Sequence, residues 1–556
     1  MEYPKYVKSN DSDLMLAIRQ GMRPMLTWYD PARRYLPYFY NYVEEERLGN
    51  SHHESYSAVH TMGRWWDALV NASFITGEAV PEEIYEHLRY WAFHIFDNQT
   101  GMPANLDLNT FEEVPLCDLH NLREAMYAFT SMIKRNPDDE QAKKMAVHLI
   151  QMVDTYADFD TGMWKTEQYE KERGGKVMCG ASDSAEVYRF SSTLGRYIGA
   201  LVRLYREWPL PEALSQAIRL TKTCFCVMLR QDGTFDADLF ARHIHSTTST
   251  ISGVAMLGDL LHDSQILDRV RAFFENGFGQ IALDFGWCLE NAGRPDDLVG
   301  EINNTCDLME ACLCLGRAGY PEYYDMADRM IRGHVLPSQL LDVSWLPDEV
   351  AQDPATDRFG SRMQGAFGFP CPYGHEYEPG SQMSFNWDIV GGGVSGLCQA
   401  YGHVVRYQEG IADVNLLFDR EDPSLRFRSP YEHDGNAEIM VKRPLSARIR
   451  LHQGIREEPL SAALDRQKIR WDMSGGWLYL YDLPLHVPVR IPMTFDPVRI
   501  QYQFRDHRFH VRYEGNRITG MDSSGKRLCF FPDLTEDSPG VTGTKEEDYK
   551  EEERVL

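Results

Sequence analysis

The feature that most constrains this chain is a change of hydrophobic period near Gly410. From about Thr61 to Gln408 one helical pattern follows another, with apolar residues at three- and four-residue spacing. Such runs start at Arg64 and near Glu82, Leu119, Asp139, Ala185, Pro211, Thr247, Ser264, Asn304, Pro321 and Val394, each long enough for an amphipathic helix. Turn signals such as Asn136-Pro137-Asp138 and Gln231-Asp232-Gly233 separate them. Beyond Gly410 the pattern turns strand-like, as in Ala437-Glu438-Ile439-Met440-Val441 and Ala447-Arg448-Ile449-Arg450-Leu451. No fixed-period repeat accompanies the helices, which favours a closed (α/α) barrel over a solenoid. The expected fold is mainly α: an (α/α)6-type helical barrel followed by a C-terminal β-sandwich. The expected divisions are an N-terminal extension (1–50), the barrel (51–410), the sandwich (411–535) and a frayed acidic tail (536–556).

Composition narrows the partners. With 83 acidic and 57 basic side chains among 556 residues, the formal net charge is −26. That balance disfavours nucleic-acid and anionic-membrane partners, and oligomeric state stays open. The eleven cysteines are scattered without the spacing of a disulfide scaffold, and no apolar leader opens the chain, so a cytoplasmic protein is expected. No phosphate loop and no nucleophile elbow occurs.

A carboxylate pair is the chemistry that a barrel mouth can offer a sugar, one group protonating the leaving oxygen and the other activating water or attacking the anomeric carbon. Glu290, Glu301, Asp307 and Asp388 stand at segment ends that are expected to line one mouth of the barrel. The competing reading makes Asp388 a cap for the glycine turn Gly391-Gly392-Gly393. His60, His243 and His245 are candidate sugar contacts. Asn386 and Trp387 directly precede Asp388, and the indole offers a stacking face. Of Trp65 and Trp66, one is expected in the core and one lining the site.

His243-Ile244-His245-Ser246-Thr247, Gly300-Glu301-Ile302-Asn303-Asn304-Thr305-Cys306 and Asn386-Trp387-Asp388 follow one another in an order that resembles glycoside hydrolase family 127, the β-L-arabinofuranosidase-like group. The resemblance runs loosely from His52 to Leu417. It implies a helical barrel, a glycosidase activity, His245 as a substrate contact, and a zinc held by one glutamate and three cysteines, one of them the nucleophile. This chain departs at the metal site: Asn304 replaces the glutamate of Glu-Thr-Cys, and Asn386-Trp387-Asp388 replaces Cys-Cys-Pro. Asp388 and Glu301, with Glu290 as substitute acid, are therefore the expected catalytic groups, and no cofactor is expected. Zinc is the lesser alternative, with Cys306, Cys371, His375 and Glu301 as its ligands. A glycosidase acting on a small oligosaccharide or glycoside is the preferred function. A sugar epimerase or polysaccharide lyase using Tyr56, His60 and His245, or a non-catalytic carbohydrate-binding relative, are the alternatives.

Overall fold

The computed structural model describes residues 13–39, 41, 51–178, 190–293, 299–368, 371–372, 387–452, 454–505, 507–522, 531–534 and 550–555. Its helices are α1 (Leu14–Met25), α2 (Ser57–Thr76), α3 (Glu82–Phe96), α4 (Leu122–Arg135), α5 (Glu140–Tyr156), α6 (Thr166–Arg173), α7 (Arg196–Glu207) and α8 (Pro211–Val227). They continue as α9 (Ala237–Phe240), α10 (Ile244–Leu261), α11 (Ser264–Asn276), α12 (Ile302–Arg317), α13 (Glu322–Met330), α14 (Phe359–Met363), α15 (Trp387–Val404) and α16 (Glu457–Arg466). The run expected from Ala185 starts outside the described residues. Within them, a π-helical turn at Ser191–Gly195 leads into α7.

Helices α2, α4, α7, α10, α12 and α15 pack each on the next, and α15 returns to α2. Around this ring lie α1, α3, α5, α8, α11 and α13, giving an (α/α)6 barrel. Sequence explains which helix goes where. Every residue of α10 from Ile244 to Asp259 is buried, whereas α11 buries only Leu267, Val270 and Phe273. The buried hydroxyls of α10 are satisfied both inside and outside their helix: Ser249 Oγ donates to the His245 carbonyl at 2.7 Å and Thr250 Oγ1 to that of Ser246 at 2.8 Å, while Ser252 Oγ donates to Glu310 at 2.8 Å. Glycines let the inner helices approach closely. A Cβ on Gly253 would stand 2.5 Å from the Gly199 nitrogen of α7, and one on Gly63 of α2 would run into the Glu124 backbone of α4. Gly63→Ala is accordingly expected to destabilise the fold by about 3 kcal/mol, read by urea unfolding.

Three boundaries differ from the sequence reading. Residues 14–25 are not an extension: Leu14, Ala17, Ile18, Met22 and Met25 are buried and α1 packs on α15 and α2. The last inner helix has no barrel helix after it, so its outer partner comes from the N-terminus. The strand Val405–Gln408 follows α15 directly and pairs antiparallel with Ile411–Val414, so the β-rich region begins inside the span assigned to the barrel. Within the acidic tail, Lys550–Val555 forms a strand parallel to Pro497–Phe504.

The β-rich region holds a five-stranded sheet in the order Val405–Gln408, Ile411–Val414, Ser446–Arg450, Trp477–Tyr481, Arg470–Ser474, and two four-stranded sheets. Alternating burial along Asn436–Val441 gives that strand one core face. The region also grips the segment ahead of α12. Trp287 meets Phe504 edge-on at 5.1 Å and Phe285 meets Tyr502 at 5.5 Å, while Tyr502 Oη donates to Asp284 at 2.6 Å. Among the described residues no helix is long and apolar enough to cross a membrane.

Candidate active site

The inner helices all begin at one end of the barrel, and their first turns bring the chemistry together. Glu301 stands at the N-cap position of α12 in extended backbone, its side chain making no capping hydrogen bond. The amide N–H of Glu301 donates to the Cys288 carbonyl at 3.0 Å. Asn304 Nδ2 donates to the Leu289 carbonyl at 2.8 Å, and Thr305 Oγ1 to that of Gly286 at 2.6 Å. Asn304 and Thr305 therefore fasten the loop that fixes Glu301. The Glu301 carboxyl is buried, accepts from Asn303 Nδ2 at 2.9 Å and lies 3.7 Å from His245 Nδ1. Burial first, and then the charges of Glu290 and Asp388, push it up to about 8. It is a carboxylic acid at neutral pH.

Asp388 has the opposite fate. It lies in the first turn of α15, buried, with Oδ2 3.2 Å from His60 Nε2 and 4.0 Å from Arg64 Nε. Burial raises it, but the hydrogen bond and charge of His60, with Arg64, outweigh that and hold it below the usual aspartate range. Among the described residues its Oδ1 has no hydrogen-bond partner. Gly391, Gly392 and Gly393 do not form the turn that Asp388 was to cap; they lie within α15. Their missing side chains admit Asn303, Arg64 and Phe367 at close range. Trp387 is the first residue of that helix rather than a loop residue; its side chain, like all of Asn386, lies outside the described residues.

Four histidines cross the mouth. His60 stacks on His120 with ring centres 5.4 Å apart, His120 meets His243 at 5.1 Å, and His243 meets His245 at 5.9 Å. Burial, followed by neighbouring arginines, drives His120 and His245 well below the usual range and His243 to about 3. These three rings are neutral hydrogen-bonding groups and weak bases. Glu290 is half-buried; its carbonyl accepts from the Ile244 N–H at 3.0 Å, and its carboxylate is one of the charges raising Glu301. Asp307, one turn into α12, accepts from Thr248 Oγ1 at 3.0 Å and lies 3.4 Å from His245 Nε2; burial pushes it up to about 6.

Beneath them lies a layer that the sequence reading missed. Glu124 of α4 is fully buried among Arg64, Arg123 and Arg196, at 3.2, 2.8 and 2.9 Å. Burial would raise this carboxyl, but the three guanidiniums hold it well below its ordinary value. Glu124→Gln leaves three buried cations without their shared anion, and a loss of about 3–5 kcal/mol in unfolding free energy is expected by urea denaturation.

The aromatic expectation needs correction. Trp65 and Trp66 are both core, 0% and 2% exposed, and Trp287 is 0% exposed. Trp65 meets Tyr29 edge-on at 5.2 Å and Trp66 stacks on Tyr85 of α3 at 5.2 Å, so both indoles pack among core aromatics.

Of the proposed zinc set, Cys306 and Glu301 are the members whose side chains are described. Cys306 is buried with Sγ seated where a Cβ on Gly396 would come within 2.5 Å, and burial pushes its thiol up. The side chain of Cys371 and all of His375 lie outside the described residues. Among the described residues, one group of three possible ligands comes together, His243, His245 and Glu301, with donor atoms within 4.8 Å of each other. It contains no thiol. The guanidinium nitrogens of Arg64 and Arg123 lie 3.2–3.3 Å from the His245 ring, where they repel a dication.

No protein-family model and no curated protein sequence matches the chain. Solved structures do. A family 127 β-arabinofuranosidase superposes with a TM-score of 0.54 at 12% identity, covering 93% of this chain and 84% of its own. A family 127 β-L-arabinofuranosidase of Geobacillus stearothermophilus gives 0.53 at 11% identity, covering 91% and 80%. A further structure, described as a glycoside hydrolase, gives 0.53 at 11% identity, covering 92% and 83%. The likeness is one of fold. It extends through barrel and β-rich region together, and the helical barrel expected from the period of the sequence is the one observed.

Proposed function

We propose that the protein is a glycoside hydrolase acting on a small oligosaccharide or glycoside bound at the N-terminal mouth of the barrel. One observation carries the reading: two buried carboxyl groups in the same mouth are driven to opposite protonation states, Glu301 up to about 8 and Asp388 below its usual range. Pairs pushed apart in this way divide the roles of acid and base at one pH. Glu301, protonated, donates to the departing glycosidic oxygen. Asp388, ionised and with Oδ1 unclaimed among the described residues, attacks the anomeric carbon or takes a proton from water. His60 orients Asp388, and His243 and His245 are neutral hydrogen-bond partners for sugar hydroxyls. The fold likeness to family 127 glycosidases agrees with this assignment, while the carboxylate at Asp388 replaces thiol chemistry.

The epimerase and lyase alternatives rest on Tyr56, His60 and His245. Burial of His245 among arginines weakens that ring as a base, and both ring nitrogens of His60 are engaged, Nε2 with Asp388 at 3.2 Å and Nδ1 with Asn121 at 2.7 Å. The free thiols at the eight cysteines whose side chains are described are compatible with a reducing, cytoplasmic setting. The test is a panel of aryl glycosides and short oligosaccharides with chromatographic product analysis. Release of free sugar and aglycone is expected. An unsaturated, ultraviolet-absorbing product or an isomerised sugar of unchanged length would overturn the assignment. So would binding without turnover across the panel.

A further inference from the structure

The inner helices that start at the mouth end at the opposite pole of the barrel. The 18 residues of α10 alone separate the two ends by about 27 Å. There a cavity of about 750 Å³ opens between the helix ends and the five-stranded sheet, a size suited to a mono- or disaccharide. Four arginines line it: Arg206 and Arg317 from the last turns of α7 and α12, and Arg406 and Arg448 from neighbouring parts of the sheet.

The carboxylates available do not match four guanidiniums. Asp259 serves both Arg206, at 3.1 Å, and Arg317, at 2.5 Å. Asp413 takes Arg448 through two bonds of 2.7 and 2.9 Å. Arg206 and Arg317 also complement the C-terminal ends of their helices, so structure accounts for them. Arg406 stands on a strand beyond the helices, half-buried, and has no hydrogen bond or ion pair among the described residues. It belongs to a row that runs across four strands in register, Arg406 opposite Asp413, Asp413 opposite Arg448 and Arg448 opposite Tyr479. The row puts an unclaimed guanidinium and a half-buried phenol ring on one wall of the cavity. In a chain of net charge −26, a pocket with two cations in excess is a local reversal of the surrounding field.

We propose that this cavity is a second ligand site, distinct from the mouth, that takes a sugar bearing an oxyanion, a carboxylate or a phosphate. Arg406 contacts the oxyanion and Tyr479 packs against the sugar ring. Calorimetric titration of the full chain with glucuronate, glucose 6-phosphate, inorganic phosphate and glucose tests it. A charged sugar binds in the millimolar range or tighter, glucose binds at least about tenfold more weakly, and Arg406→Ala weakens the charged sugar by about tenfold or more. Tyr479→Ala weakens sugars without affecting inorganic phosphate. Asp388→Asn leaves the binding unchanged, which separates this site from the mouth. Binding of glucuronate alone or glucose 6-phosphate alone supports the site and identifies the oxyanion. Equal binding of glucose, inorganic phosphate binding as tightly as its sugar ester, unaltered binding by Arg406→Ala, or no binding of either charged sugar overturns the proposal.

Discussion

Asp388→Asn is expected to lower kcat for glycoside hydrolysis by ~10³-fold or more while leaving a folded protein. The substitution keeps the shape of the side chain and an oxygen for the N–H of His60, 3.2 Å away, and removes the negative charge that attack or proton abstraction requires. Asp307→Asn is the matched comparison. Asp307 is equally carried on an inner helix near His245, yet it is pushed up to about 6 and its Oδ2 is occupied by Thr248, so a loss of no more than ~10-fold is expected. Circular dichroism and a melting curve separate lost chemistry from lost fold, because Arg64 and His60 both lose a charged partner in the Asp388 variant. The anomeric configuration of the first product, read by proton NMR, then divides the two roles open to Asp388: retention makes it the nucleophile, and inversion makes it the base. If Asp307→Asn proves the more damaging of the two, the acid–base pair is Glu301 with Asp307 instead.

The barrel was legible because helical period is a local property, repeated in each helix without reference to the others. Even α1 carries its signal, apolar residues at 14, 17, 18, 22 and 25; what sequence does not carry is that this stripe closes the ring against α15. The two poles of the site, Glu301 and Asp388, were visible as carboxylates at segment starts. Their surroundings were not. Arg64, Arg123, Glu124 and Arg196 sit on helices that otherwise look apolar, and a charge on a helix ordinarily faces water. Only the convergence of α2, α4 and α7 turns them into one buried cluster. His120 was missed for the same reason, since its partners His60 and His243 are remote in sequence. One signal was available: Arg64 stands directly before Trp65-Trp66, and Arg123-Glu124 falls between Leu122 and Met126, positions where a solvated charge would interrupt the core face.

The second large effect concerns pH. Activity requires Glu301 protonated and Asp388 ionised. With Glu301 near 8, kcat/KM is expected to hold through neutrality and then fall about tenfold per pH unit above 8. Glu301→Gln removes that alkaline limb. It also slows glycosides with poor leaving groups by ~10²–10⁴-fold, and activated aryl glycosides far less, because a good leaving group needs no proton. Stability carries the same signature with a defined sign. The folded chain holds the Glu301 proton up to about pH 8, whereas the unfolded chain releases it near the ordinary glutamate value of about 4.3. Between those values the native state binds more protons, so its stability falls as pH rises, by about 1.4 kcal/mol per unit for this group. Glutamine has no proton to release, so the melting temperature of Glu301→Gln should gain on the wild type across that window and stop gaining beyond it. An activity profile that stays flat well past pH 8 would move the acid role to Glu290, whose charge is among those that raise Glu301. A stability gap that opens over the same window even so would then make Glu301 a buried structural acid that sets the field for its neighbour.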